Sequence, residues 1–452
     1  MALKYLFTFL IIPLSCISVG CDLTKNDPKG ETDEFYLDGY QTVPLQSKIT
    51  SLQPMTGVVF WPEQAARKDL TYNKSIALEF SYCLPCDVVI GKTNGKIDYD
   101  WSSFETLLND ISSREHQAII RFRYEYPGKM TNGVKGATAV PAYIKVLPDY
   151  KETYNENADG STYYADWSNS ELQWFAKQFY TDFAARYDND PRIAFVQAGF
   201  GHWAEYHIYG TALKLGVNFP SHAYQASFLQ HLDSVFVETP WSISIDAADD
   251  TYTPILKTKA LMNLKFGLFD DSFMWKEHDI SEGDGYNERC WTRIGTDRWK
   301  KSPCGGEISY YSSSDQKNFL NPAGMYGVTW EQAAAKYYMT YVIGNDAPSG
   351  SYATPARIKE AGLASGYHFK IVDFRVKGDS SAVRITNTGI APIYRNAYVA
   401  VNGILSVNSL KTLLPADTIW VKVPSGGDSP VLTIECDHLL AGQKIDYDAD
   451  IK

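Results

Sequence analysis

PRIAFVQAGFGHWAEYHIY, residues 191–209, is the stretch that decides the fold. It begins as an apolar run suited to a buried strand, then passes Gly199 and Gly201. It next delivers one carboxylate, Glu205, among His202, Trp203, Tyr206 and His207. A strand that ends in glycines and then displays acid, imidazole and indole groups reads as a site more than as a core segment. A structural glutamate among ordinary packing aromatics is the plainer alternative.

Outward from this stretch the same alternation repeats. Strand-like apolar runs stand at 56–61, 76–82, 117–124, 241–247, 264–269 and 305–310, with a weaker one at 341–344. Amphipathic stretches separate them. Phe104, Leu107, Leu108 and Ile111 share one helical face behind a Ser102/Glu105 capping pair. Leu172, Phe175, Phe179, Phe183 and Tyr187 form the next stripe behind Ser168/Glu171, and further helices are expected at 221–237 and 330–341. With residues 191–199 these runs make eight strand candidates. No GxGxxG follows a strand and no GxxxxGK[ST] occurs, so the nucleotide-binding open sheets lose their main support. The expectation is α/β: a (β/α)8 barrel over 51–360. Inserts at 92–99, 155–166 and 281–305 are the loops expected to build its cleft.

The pattern changes near Gly366. Runs at 368–376, 381–386, 394–401, 418–423 and 431–435 are short, β-branched or alternating, and are split by Gly, Asn, Pro and Asp. They predict a small antiparallel β-sandwich over 366–452. It holds no clustered acids or histidines, so packing or spacing is its expected role.

At the other end, residues 1–20 carry one early lysine and then LFTFLIIPL. This is a secretory signal whose apolar core is too short for a stable membrane span. Ser-Val-Gly precedes Cys21, the pattern of a bacterial lipoprotein cleavage box. The expected mature chain is therefore anchored in the cell envelope, at the periplasm or outer membrane, through lipidated Cys21. Ordinary cleavage without a lipid is the alternative. Residues 21–50 read as a polar tether. The formal charge is −11, a balance that repels nucleic acid. Cys290 and Cys304 could bridge a loop. Cys83-Leu-Pro-Cys86 has no second CxxC for a structural zinc and reads as a disulfide or two buried thiols.

A barrel brings acids that are distant in sequence to one mouth. Glu205 follows the fourth strand, Asp270 and Asp271 close the sixth, and Glu307 stands at the seventh. Two facing carboxyls are what acetal cleavage requires, one protonated and one ionised. Aromatic neighbours suit Glu205 to the acid role and glycine neighbours suit Glu307 to the ionised one. A salt-bridged Glu307, with Asp270 or Asp271 in its place, is the alternative. Arg121 and Arg123 point the same way, to pair with an inward acid or to grip substrate. Asp246 closes the fifth strand, fit to bind a sugar hydroxyl. Trp61, Tyr82, Tyr124, Trp203, Trp275 and Tyr310 stand at or near strand ends as stacking platforms for sugar faces. With 11 Trp and 31 Tyr in the chain, several such platforms are credible as a group. His202, His207, Asp246, Asp271 and His278 are suitable metal ligands. There is no HExxH, however, and residues 202 and 207 are not a helical i,i+4 pair, so neither metal nor cofactor is expected.

The segments GFGHWAEYH at 199–207, RFRY at 121–124 and GGE at 305–307 resemble a bacterial family of barrel proteins with a C-terminal β-domain, usually filed as glycoside hydrolases. That family typically runs Gly-x-Trp-Gly-Glu-Trp-His. By likeness to the large retaining glycosidase clan on the same barrel, Glu205 matches the strand-four acid/base and Glu307 the strand-seven nucleophile. Ala204 departs from both patterns, standing where the clan has Asn and the family has Gly. The usual grip on the sugar 2-hydroxyl is therefore missing, and His202 or His207 is left to supply it. The signal, tether and acidic surface resemble the polysaccharide-utilisation lipoproteins of Bacteroidetes-like bacteria. The resemblance implies a glycoside hydrolase acting on an oligo- or polysaccharide. The alternative is a surface glycan-binding lipoprotein with a degenerate barrel.

Overall fold

The computed structural model describes residues 37–277, 285–344 and 350–452. The signal, Cys21 and His278 lie outside them. All eight expected strands form and close a parallel barrel. They are β1 (Gly57–Phe60), β2 (Leu78–Cys83), β3 (Gln117–Phe122), β4 (Ile193–Gln197), β5 (Trp241–Ser244), β6 (Gly267–Phe273), β7 (Gly305–Ile308) and β8 (Tyr341–Ile343). Every residue of β1, β3 and β4 is buried. A parallel strand covered on both faces needs such a continuous apolar run.

Side chains alternate across each strand. Val58, Phe60, Ala118, Ile120, Phe122 and Val196 pack into the layer beneath the helices. Val59, Leu78, Phe80, Ile119, Phe195 and Ile343 fill the inside. Two residues further along, the same inward parity carries Arg121 of β3, Gln197 of β4 and Asp271 of β6 towards one point. The pairing Gln197↔Arg121 places two of them side by side.

The helices behind the strands are α1 (Ser102–Ser112), α2 (Ser170–Tyr187), α3 (His222–Val235), α4 (Tyr286–Ile294), α5 (Trp330–Tyr337) and α6 (Pro355–Leu363). Two expected caps are corrected. Trp101 is the N-cap of α1, and Ser102 is its first residue, its backbone N–H donating to Asp100. Glu105 instead binds Arg186 and Arg192. Helix α2 starts behind Asn169, whose side chain accepts from the Leu172 N–H. The free amide oxygen one residue later than Ser168 wins because asparagine is as good a cap as serine. Ser168 donates to Asp166.

The C-terminal strands β9 (Phe369–Lys377), β10 (Ser380–Asn387), β11 (Ala397–Val401), β12 (Thr418–Val423), β13 (Leu432–Cys436) and β14 (Tyr447–Ile451) form two sheets. Part of the stretch read as a tether belongs to them: Leu45–Ser47 pairs with β14 and Gln41–Thr42 with β9. Both β14 and these N-terminal strands were missed, because two- to five-residue polar strands carry little alternation to read. The sandwich core is continuous with the barrel interior. At the barrel's N-terminal end Arg395, almost fully buried, donates to the Ile193 and Ala194 carbonyls at 3.1 Å. Burial pushes its pKa down to about 10. His438 meets the Ile193 carbonyl at 3.0 Å. The C-terminal domain thus holds the foot of β4, the strand that leads into the Glu205 loop.

Cys83, Cys86, Cys290, Cys304 and Cys436 are all free thiols. The proposed Cys290–Cys304 bridge is absent, and burial raises both thiols to about 12. Thiols at that level stay protonated, and Cys83, likewise pushed to about 12, and Cys86 form no disulfide.

Candidate active site

The loop after β4 folds back on itself. A Cβ on Gly199 would stand 1.9 Å from the Ala204 carbonyl oxygen, and one on Gly201 2.2 Å from that of His207. Only glycine permits either approach. The return is closed by His202 N–H donating to the His207 carbonyl and Tyr206 N–H to that of Phe200, at 3.0 and 2.8 Å. On each side of Glu205 the backbone is left-handed without glycine, with φ of 53° at Trp203, 64° at Ala204 and 64° at Tyr206. Each such residue costs about 1–2 kcal/mol. The surrounding packing holds that strain, and its effect is to aim Glu205 inward.

Glu205 arrives beside Arg121, whose Nη1 lies 3.6 Å from its Oε1. The Arg121 side chain is fully buried and its fork grips Asp271, Nη1–Oδ2 at 2.5 Å and Nη2–Oδ1 at 3.1 Å. Its Nε donates to Gln197 at 2.7 Å, and Gln197 in turn donates to the Tyr341 hydroxyl at 2.5 Å. The Phe269 ring lies 4.0 Å beneath the guanidinium and dries it. Burial raises the Glu205 pKa well above the carboxylate range. The charge of Asp271 and a hydrogen bond to it raise the pKa further, and Arg121 opposes the shift. Glu205 is therefore held protonated while its neighbour Asp271 is held by arginine.

Glu205 opens on a cavity of ≈ 640 Å³. Around it stand Glu307, Asp246, Asp270 and Asp271, and the rings of Trp61, Tyr82, Trp203, His207 and Tyr310. These are ten of the fifteen residues expected at the site. Arg121 lies beneath them as the floor. Four expectations are corrected. Tyr124 packs edge-on against Trp167 in the helix layer and does not reach the cavity. Arg123 is buried behind Tyr126, 4.8 Å from that ring. His202 is fully buried against Tyr164 and Tyr209, and burial, then the nearby His207, lowers its pKa to about 3. Trp275 is not in the lining but packs 5.2 Å from Tyr311, which is. Of the two histidines offered as the sugar grip, only His207 reaches the cavity. Its Nδ1 meets Asp246 Oδ2 at 3.1 Å.

Sequence reasoning missed Tyr126, Asp159, Tyr209, Tyr286, Asn287 and Tyr311 in the lining. Asp159 sits at the turn of the hairpin Thr153–Asn157 and Gly160–Tyr164, inside an insert expected to shape the cleft. Nothing in the insert singles out that residue.

Glu125 lies directly behind the loop. Its carbonyl accepts from the Trp203 N–H, and its buried carboxyl accepts from the Ala165 N–H at 3.0 Å. Burial lifts its pKa from 4.5 to about 8. The folded chain keeps this group neutral while the unfolded chain ionises it above pH 4.5. It therefore weakens the fold increasingly between those two pH values. Glu125→Gln is expected to stabilise the protein by up to about 3 kcal/mol at pH 7. The gain should vanish near pH 4, and thermal unfolding at both pH values checks this.

No family model and no curated protein matches the chain. Among solved structures it is similar to the catalytic domain of a β-amylase from Paenibacillus polymyxa. That match has 11% identity and a TM-score of 0.42, and covers 69% of this chain and 99% of that one. An Anoxybacillus α-amylase matches at 9% identity and a TM-score of 0.38, covering 85% and 96%. An endo-glycoceramidase II from Rhodococcus sp. matches at 12% identity and a TM-score of 0.37, covering 85% and 100%. The chain itself is a (β/α)8 barrel with an acid- and ring-lined cavity at the C-terminal ends of its strands.

Proposed function

We propose that the protein is a glycoside hydrolase that uses two carboxyls with retention of configuration. The observation that carries this reading is that Glu205, whose pKa burial raises well above the carboxylate range, shares one ring-lined cavity with Glu307. Glu205 protonates the glycosidic oxygen as the bond breaks. Glu307, on inward-facing β7, attacks the anomeric carbon, and water later releases the sugar with Glu205 as base. Asp271 is too close to Glu205 to be that nucleophile: a retaining pair needs about 5–5.5 Å between carboxyls, and these two share a hydrogen bond. Its part is to keep the acid protonated. Trp61, Trp203 and Tyr310 offer faces for stacking on pyranose rings.

A second reading is glycan binding without turnover. It is favoured by Ala204, whose buried methyl cannot supply the hydroxyl grip of the clan's asparagine. A panel of bacterial, plant and algal polysaccharides decides between the two. Release of new reducing ends supports the hydrolase, and tight binding with no product supports the second reading. Lipid attachment at Cys21 and an envelope location belong to the same proposal on the sequence alone. Intact-mass analysis of the native chain tests them, and an unmodified Cys21 would end that part.

A further inference from the structure

We propose that Glu205, His207 and Asp246 form a binding site for a zinc-class divalent cation, and that the ion turns the enzyme off by occupying its acid. One donor atom from each residue lies within 4.8 Å of the others. Zinc holds nitrogen and oxygen donors at about 2.0–2.2 Å in a tetrahedron, so neighbouring donors on one ion stand about 3.3–3.6 Å apart. Side-chain rotations that bring the donors closer by about an ångström close the trio on an ion. All three side chains are partly exposed and line the cavity. An ion can therefore enter, and three protein donors leave a fourth position facing the cavity, the arrangement of an open zinc site.

The site is already arranged. The imidazole is fixed at Nδ1 by Asp246, at 3.1 Å, and its ring lies nearly parallel to Tyr209, 16° apart with centroids at 5.8 Å. Glu205 is held by the strained turn on one side of it. Arg121 spends both ends of its fork on Asp271 and approaches Glu205 at 3.6 Å, at Oε1. A second and independent feature favours a cation. Asp159, Asp270, Asp271 and Glu307 share the lining, which includes no lysine or arginine among the described residues. Clefts lined by one sign of charge concentrate the opposite sign. The ion displaces the Glu205 proton to solvent, and one imidazole with two carboxylates then selects zinc over manganese and calcium, which bind such nitrogen-containing sites less strongly.

The inhibitory consequence rests on Glu205 being the acid of the proposed hydrolase; the site itself does not. Zinc titrated calorimetrically into the full chain in chelator-free buffer is expected to bind one-to-one. His207→Ala and Asp246→Ala are each expected to lose at least tenfold in affinity, as is His207→Gln should the alanine variant fail to fold. His222→Ala, outside the cavity, is expected to keep it. Absence of binding, undiminished affinity in both site variants, or calcium bound more tightly than zinc would overturn the site. A chain that binds zinc but hydrolyses no glycan keeps the site and loses the proposed function. One that hydrolyses glycans and ignores zinc loses only the site.

Discussion

Glu205→Gln is expected to lower kcat on a natural glycan by about 10²–10⁴-fold, the range general acid catalysis contributes. Glutamine keeps the shape and the approach to Arg121 but carries no acidic proton. A substrate with a good leaving group, such as a nitrophenyl glycoside of the same sugar, should lose far less in the bond-breaking step. The contrast separates an acid from a merely structural residue, because a collapsed loop would damage both substrates alike. Circular dichroism and thermal unfolding should match the wild type. Equal loss on both substrates would remove Glu205 from the acid role.

Arg121→Met is expected to destabilise the fold by about 3–5 kcal/mol, since it leaves Asp271 in a nearly dry site without its partner. Asp271 is only 7% exposed and the arginine side chain is wholly buried. Gln197 would also lose the donor that satisfies its carbonyl oxygen. Removing the charge at both positions tests the cause. Arg121→Met/Asp271→Leu should recover most of the stability, because a buried ion pair replaced by apolar groups is often neutral or better. Activity should stay below the wild type, since Glu205 keeps the burial that raises its pKa but loses the charge and hydrogen bond of Asp271 and its contact with Arg121. Denaturant unfolding of the three proteins measures the first claim and hydrolysis of the panel substrate the second. A double variant as unstable as Arg121→Met would show that the loss lies in packing rather than charge.

The barrel was legible because its strands are unbroken apolar runs buried on both faces, and even the three-residue β8 was found at its expected place. The acids were legible from their position at strand ends. What stayed hidden was direction. Residues 121 and 123 share a parity, yet β3 ends at Phe122 and Arg123 turns away behind Tyr126. His202 looks as available as His207, and only the left-handed turn between them decides which is buried. The partnership of Asp271 with Arg121 joins β6 to β3 across the barrel's interior, a contact that needs the closed ring before it can be seen. The strands at 41–47 escaped because their pairing partners, β9 and β14, lie more than 300 residues away in the chain.

The central claim is that Glu307 attacks the sugar that Glu205 releases. Its most direct measurement is product configuration by proton NMR for Glu307→Gly in azide, using the leaving-group substrate. The account predicts that the variant alone is inactive. Azide should restore turnover and yield a glycosyl azide of inverted anomeric configuration, the small anion standing where the carboxylate was. Near-wild-type hydrolysis by Glu307→Gly without azide, or rescue by azide at Asp271→Gly instead, would contradict it.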